Sequence, residues 1–415
     1  MRVVEPHEFK SVKHPKIKRK SHHGLRIIVA GVLIAYVAVS LLRPLPALTS
    51  TTQGLAPTAT KEVPIKWPTY GQAAVGAVGY GILGTQGEPK ALPTASVAKV
   101  MTALAVLKQR PLAVGEQGPV ITISQEDVDE YARTIALNGS NVPVALGEEI
   151  TQYQALQALL LPSANNMAHT LARWAYGSDK EYLQFVNNFA KSLGMEDTQF
   201  YDASGYSEKT VSTAQDLVKL AVNAMDNPVI AEIVAQKQAT IPVAGQIYNV
   251  NVLLGQGGLV GVKTGNTDQA GGCFMSAAVR EIDGKRVVAV SVIMGAPTVY
   301  TALQDSVPLV NSVLDGFVPA TAVTANQKVG VISAAWGGST DLVTKDAVKG
   351  VQWSAGAITP GLNIAKATGS GVGEGQVVGS VETQFGRDVS KADVVTSGQI
   401  RTPTLLWRLT PWFLQ

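Results

Sequence analysis

Cysteine is all but missing. Cys273 is the single one in 415 residues, so no disulfide can close within the chain. Histidine is nearly as scarce: His7, His14, His22 and His23 crowd the first residues, and only His169 lies beyond them. One histidine and one cysteine are too few for a zinc centre, so no metal is expected. The same shortage leaves His169 as the only base available to a Ser-His-Asp triad, and a hydrolytic serine here is expected to use a lysine instead. Charged residues make up only 16% of the chain, against 46% hydrophobic, which excludes a disordered scaffold. The net charge of +3 misleads, because eight of the 34 Lys and Arg lie within residues 1–26, opposed only by Glu5 and Glu8. The body that follows holds 26 basic and 29 acidic residues and offers no nucleic-acid surface. No repeat of fixed period is present.

What is present comes in blocks. Residues 25–42 are apolar but for Arg26 and Ser40, close to the roughly 20 residues that cross a bilayer core. Basic residues crowd their N-terminal side, so the positive-inside bias puts 1–24 in the cytoplasm and the bulk of the chain outside. The rival is a cleaved signal peptide. It would need an unusually long apolar core, and its best cleavage motif, Ala38-Val39-Ser40, falls inside the apolar run. Residues 43–65, rich in Pro, Thr and Ala, read as an extended linker.

The Ala/Val/Gly alternation within 66–90 predicts an early strand and turn. From Thr94 the period changes: Val97, Val100, Met101, Leu104 and Leu107 fall at helical spacing. Ser96 then lies in the first turn, and Lys99 three residues on shares its face. Thr151 opens a second helical run that stops at Pro162, and another follows from about 166 to 174. Ser163-Ala164-Asn165 therefore sits in a tight connection that can aim polar groups into a cleft. Helices are also predicted over 179–193, 213–226 and 300–316. A Gly-rich stretch, 255–261, leads into Lys263-Thr264-Gly265. Two strands follow, 273–281 and 286–296, joined by the hairpin signal Asp283-Gly284. Short alternating runs predict a small all-β domain over 320–405, with an apolar tail at 406–415 that could rest on a membrane or on that domain.

Ser96-Val97-Ala98-Lys99, Ser163-Ala164-Asn165 and Lys263-Thr264-Gly265 form an ordered set far rarer than any of its parts. With its flanking segments, this set resembles the low-molecular-weight penicillin-binding proteins, specifically the serine-type D-Ala-D-Ala carboxypeptidases. Those segments are ASVAKVMTALAVL, GEEITQYQALQALLLPSANNMA, GMEDTQFYDASGYSEKTVSTAQDLVKLA and GVKTGNTDQAGGCFMSAA. The resemblance covers about 66–318. It implies an α+β fold of the β-lactamase/transpeptidase type: an antiparallel sheet flanked by helices, with an all-helical subdomain. The small all-β domain and the N-terminal transmembrane helix are additions to it.

The resemblance also implies roles. Ser96 is the nucleophile and Lys99 its base, a part a lysine plays only when burial and a neighbouring cation lower its pKa. Lys263 is the candidate cation. Ser163 would relay a proton to the leaving group, and Asn165 would hold Lys99 or the substrate amide. Lys263 and Thr264 would bind the terminal carboxylate, and Gly265 would let the substrate backbone approach. Backbone N–H groups of Ser96 and Asn266 would form the oxyanion hole. Against each stands a plain structural reading: a helix start with a snorkelling lysine, a helix cap at Ser163 or Asn165, a polar turn at Lys263. His169 is expected to have a packing or surface role, and Cys273 to be a buried small hydrophobe.

The implied substrate is a peptidoglycan stem peptide, with β-lactams as covalent inhibitors and no cofactor, at a bacterial cell membrane with the catalytic domain outside the cytoplasm. Two departures from the family pattern bear on specificity. Asn266 stands where many members have histidine, and 295–306 lacks the arginine that often anchors the substrate carboxylate. Alternatives are a D,D-endopeptidase of cross-links and a non-catalytic wall-binding or β-lactam-sensing module. A class A β-lactamase is disfavoured, because no Glu-x-x-Leu-Asn segment lies between Ala164 and Lys263.

Overall fold

The Asp283-Gly284 turn organises the catalytic sheet. In the computed structural model, which describes residues 2–3, 23–365 and 370–410, strands Gly271–Ile282 and Lys285–Ala296 pair antiparallel with Ile282 opposite Lys285. Both turn residues take positive φ, 50° and 72°, as a tight hairpin of this twist requires. The sheet has five antiparallel strands in the order Leu259–Thr267, Gly271–Ile282, Lys285–Ala296, Gln72–Ala77, Gly81–Gln86. Leu259–Thr267, which carries Lys263-Thr264-Gly265, is therefore an edge.

Helices cover both faces of this sheet, which is why its strands read as near-continuous small apolar runs. Val299–Asp315 lays Ala302, Val310 and Val313 against Val75, Phe274 and Ile293. On the other face Ala214–Asp226 brings Leu217, Val218 and Ala221 into one core with Ala74, Met275 and Val290. That core continues into the helical subdomain, where Lys99–Gln109 packs against Gln152–Leu160, Asn165–Tyr176 and Asp179–Ser192, and Gln125–Ala136 packs on Asn165–Tyr176. The sequence marks two of these helix starts with reciprocal capping boxes, Ser124 with Asp127 and Thr151 with Gln154.

The C-terminal region is all-β with its own core, including Val329, Leu342, Val381, Phe385 and Val394. Its six-stranded antiparallel sheet runs Thr49–Thr52, Lys328–Ser333, Ser339–Thr344, Asp388–Thr396, Val377–Phe385, Gly361–Ile364. The first strand corrects the reading of 43–65 as a linker. Thr49–Thr52 pairs with Lys328–Ser333, and Leu48 enters the C-terminal core. Thr58 and Lys61 donate backbone hydrogen bonds to Ile358 and Ser354 carbonyls. A polar, exposed Thr-Ser-Thr-Thr strand carries no alternation to announce itself. The hairpin turn of Val377–Phe385 and Asp388–Thr396 docks on the catalytic domain, where Arg387 Nη1 contacts both Asp226 oxygens at 2.6 and 2.7 Å.

Among the described residues one helix, His23–Leu42, is long and apolar enough to cross a membrane, with a mean hydropathy of 2.4, and it is exposed except at Ser40. The short helix Leu405–Leu409 lies against its end. Tyr36 Oη donates to Leu409 O and Arg408 Nη1 to Leu41 O, both at 2.7 Å. Trp407 meets Trp336 of the β domain. The tail thus touches both the apolar helix and the β domain as far as residue 410; the rest of it, and nearly all of the basic tail 1–24, lie outside the described residues.

Candidate active site

Ser96 sits in a 3-10 turn, Ala95–Ala98, that runs directly into helix Lys99–Gln109. Ala95 holds φ at 46°, a costly value for a residue with a Cβ, so the surrounding packing fixes the turn. Lys99 is completely buried. Its Nζ lies 2.7 Å from Ser96 Oγ, 2.7 Å from Asn165 Oδ1 and 2.8 Å from Ser204 O. Two of these three partners are carbonyl oxygens, which only accept. A neutral amine has two N–H groups for them and a lone pair left, aimed at the one partner able to donate, the Ser96 hydroxyl.

The electrostatics favour that neutral form. Burial first, and the charge of Lys263 second, hold the Lys99 amine well below the usual lysine range, with Asp202 opposing them. Burial likewise pushes Lys263 down to about 7. Lys263 is 1% exposed and its Nζ donates to Thr264 O at 3.1 Å. Gly265 brings the edge strand onto the serine turn. A Cβ there would lie 3.1 Å from Thr94 O and 3.2 Å from Ser96 N. The bare position therefore serves strand-to-turn packing, a reason the sequence reading did not supply.

The connection between helices Gln152–Leu160 and Asn165–Tyr176 is held from several sides. Asn165 N donates to Ser140 O, and Asn166 exchanges bonds with the Val142 backbone in both directions. The N-cap of Asn165–Tyr176 is Ala164, with no side-chain cap bond, so neither Ser163 nor Asn165 is used as a cap. Ser163 has φ 69°, and its Oγ is buried without a hydrogen-bond partner. A buried hydroxyl without a partner is an exception that most protein interiors avoid.

A family model described as D-alanyl-D-alanine carboxypeptidase, peptidase S11, matches residues 76–298, more than half of the chain. The chain belongs to that family. The D-alanyl-D-alanine endopeptidase of Escherichia coli (strain K12) is 32% identical over 254 residues, which cover 59% of this chain and 77% of that protein. The D-alanyl-D-alanine carboxypeptidase of Streptomyces sp. (strain K15) is 32% identical over 212 residues, 47% of this chain and 70% of that one. A peptidoglycan synthesis regulatory factor from Streptococcus pneumoniae shares the fold, with a TM-score of 0.57 at 20% identity over 79% of this chain and 98% of that one.

All three carboxypeptidase motifs thus meet around one buried amine and one edge strand. Thr264 is half-buried beside Lys263, and Asn266 is exposed at the strand end. Sequence reasoning missed the loop that completes the cage. Ser204 supplies the third partner of Lys99, and Asp202 shapes that loop by accepting from Ser204 N and Oγ, Tyr206 N and Thr210 Oγ1. Gly205, at φ 76°, passes so close to Ala95 that a Cβ would fall 1.9 Å from its carbonyl oxygen. The signal was legible as a turn: an Asp two residues before a Ser-Gly pair is an Asx-turn sequence. His169 is not in the cage; its Nδ1 faces Asp179 Oδ1 at 3.1 Å. Cys273 is buried opposite Gly265 in the sheet, where burial raises its thiol to about 11.

Proposed function

We propose that this protein is a serine-type carboxypeptidase that removes the terminal D-alanine from peptidoglycan stem peptides through an acyl-enzyme. Ser96 Oγ attacks the penultimate D-alanine carbonyl and gives its proton to neutral Lys99. The Ser96 and Asn266 N–H groups stabilise the oxyanion. Ser163 passes a proton to the departing D-alanine nitrogen, while Lys263 and Thr264 hold its carboxylate. Water then hydrolyses the ester. A β-lactam enters the same path and stops at the acyl stage. The observation that carries this reading is the Lys99 amine, buried, lowered in pKa and bonded to two carbonyls and one hydroxyl. Helix His23–Leu42 would hold the chain in the bacterial cell membrane, with the basic end inside and the catalytic domain outside. The domain limits that go with this are 1–24 basic tail, 25–42 membrane span, 66–318 catalytic domain and 320–405 β domain.

A second reading, an endopeptidase of cross-links, is favoured by one feature. A polar trough of about 800 Å³ continues past Asn266 between Asn138, Lys209 and Asp268, space that a single departing D-alanine does not need. Mass spectrometry after incubation with a pentapeptide ending in D-Ala-D-Ala tests both. Loss of one alanine supports the carboxypeptidase, cleavage of cross-linked dimers alone supports the endopeptidase, and absence of both, with no labelling by a fluorescent penicillin, refutes catalysis altogether.

A further inference from the structure

Among the described residues, Tyr182 is the largest side chain to be fully buried, and it takes a hydroxyl into the core at 0% exposure. It belongs to helix Asp179–Ser192, which packs on the helix that carries Lys99. Its Oη stands 2.7 Å from Thr102 Oγ1, and Thr102 Oγ1 donates to Ala203 O at 2.6 Å. A threonine hydroxyl has one proton, and Thr102 gives it to that carbonyl. The Tyr182 hydroxyl is therefore the donor in its own bond, and Thr102 the acceptor. Burial above all pushes the phenol far above its ordinary range, so its proton stays in place.

Thr102 lies one helical turn beyond Lys99. The two side chains grip consecutive carbonyls of one loop: Thr102 takes Ala203 O, and Lys99 takes Ser204 O. Asp202 ties this loop to itself, whereas the Thr102 bond ties it to the helix of the base. A threonine inside a helix commonly turns its hydroxyl back onto a carbonyl three or four residues earlier, here that of Lys99 or Ala98. Such a turn would release Ala203 O and leave a buried phenol proton without an acceptor. We propose that Tyr182 is a positioning residue for acylation: its hydroxyl commits the Thr102 proton to Ala203 O, which holds the adjoining Ser204 carbonyl against the Lys99 amine and keeps the amine's lone pair on Ser96. Tyr182 itself touches neither substrate nor reacting atoms. The proposal rests on the reading of Lys99 as the base of Ser96.

The test uses the full chain in detergent, with Tyr182→Phe, Thr102→Val and the double variant. Phenylalanine keeps the ring beside Tyr176, whose centroid lies 5.8 Å away, so the packing survives. Time courses of labelling across a range of penicillin concentrations separate noncovalent binding from the limiting acylation rate. Tyr182→Phe is expected to lower that rate about tenfold and to leave binding unchanged. Thr102→Val should do the same. The double variant should be no slower than Thr102→Val alone, because the two hydroxyls act in series. Hydrogen exchange over 202–210, read by mass spectrometry, should quicken about tenfold in all three variants, with helix Asp179–Ser192 unaltered. An unchanged acylation rate in Tyr182→Phe, losses that multiply in the double variant, or quickened exchange spread through Asp179–Ser192 overturns the proposal. If the unmutated protein takes up no penicillin, the acyl-enzyme reading falls, and exchange alone decides whether Tyr182 holds the loop. Exchange over 202–210 that stays the same in Tyr182→Phe overturns that hold.

Discussion

Asn165 Oδ1 accepts a hydrogen bond from Lys99 Nζ at 2.7 Å, joining two helices whose motifs lie 66 positions apart in sequence. This contact makes the two motifs one unit, because it fixes the amine on the side where Ser96 Oγ stands at the same distance. Asn165→Ala leaves one buried N–H of Lys99 without an acceptor, so the amine is free to turn from the serine. Acylation by a fluorescent penicillin is expected to slow by about a hundredfold, with the protein still folded by circular dichroism. An unchanged rate would remove Asn165 from the site.

Ser96→Ala should abolish covalent labelling outright, and Lys99→Ala should slow it by about two to four powers of ten, the usual worth of a positioned base. Intact-protein mass after exposure to penicillin reads both. Labelling of folded Lys99→Ala at the original rate would refute the lysine as base.

The two lowered amines set the pH response. Because native Lys263 releases its proton near 7 and an unfolded lysine holds it to about 10.5, the unfolded chain binds more protons across that window. Stability from this source therefore climbs as pH rises from about 7 and is least below it, where the fold must contain a buried charge. Lys99 contributes in the same direction. Lys263→Met is expected to flatten the rise in the thermal midpoint of the catalytic domain between pH 6.5 and 9. In the unmutated protein acylation should quicken as pH rises, because burial and the charge of Lys263 hold the Lys99 amine well below the usual lysine range and a higher pH favours its neutral form.

Gly265→Ala and Gly205→Ala separate two kinds of close approach. At Gly265 an added methyl meets its neighbours at 3.1 to 3.2 Å, so a small shift of the serine turn can absorb it. The expected result is a stability loss of about 1 kcal/mol and a marked fall in acylation. At Gly205 the methyl would sit 1.9 Å from Ala95 O on a backbone with φ 76°, which no small shift relieves. That variant should lose several kcal/mol, on the order of 3 or more, and fail to label. Thermal midpoints and penicillin labelling decide both.

The contact between the domains and the packing inside the β domain should differ in weight. The Arg387–Asp226 pair is well exposed on both sides, so Arg387→Ala is expected to cost less than about 1 kcal/mol and leave acylation intact. Phe385, 1% exposed in the β-domain core, is different: Phe385→Ala should cost about 3 to 5 kcal/mol and open that domain to proteolysis. Limited proteolysis followed by mass mapping distinguishes the two outcomes.

Much of this was written in local chemistry. The helix after Ser96, the break at Pro162 and the Asp283-Gly284 turn all rest on periodicity or on residues with narrow conformational preferences, and each lies where those preferences put it. The motif serines and lysines were identifiable because side chains with nucleophile and amine chemistry recur there in order. What stayed hidden depends on partners distant in sequence. The Ser204 carbonyl has no side-chain identity to advertise its bond to Lys99. The strand Thr49–Thr52 exists only because Lys328–Ser333 offers it an edge. The bond from Tyr182 to Thr102 follows from the packing of two helices, which no short pattern encodes.

Six residues, 43–48, are all that separate the end of helix His23–Leu42 from the strand that binds the β domain. Fully stretched they reach roughly 20 Å. With that helix in the bilayer, the β domain is a pedestal rather than a weight on a leash, kept within a short reach of the lipid. Such an enzyme would trim a thin stratum of the wall, and its choice of targets would depend on how far a stem peptide lies from the membrane as much as on what that peptide contains.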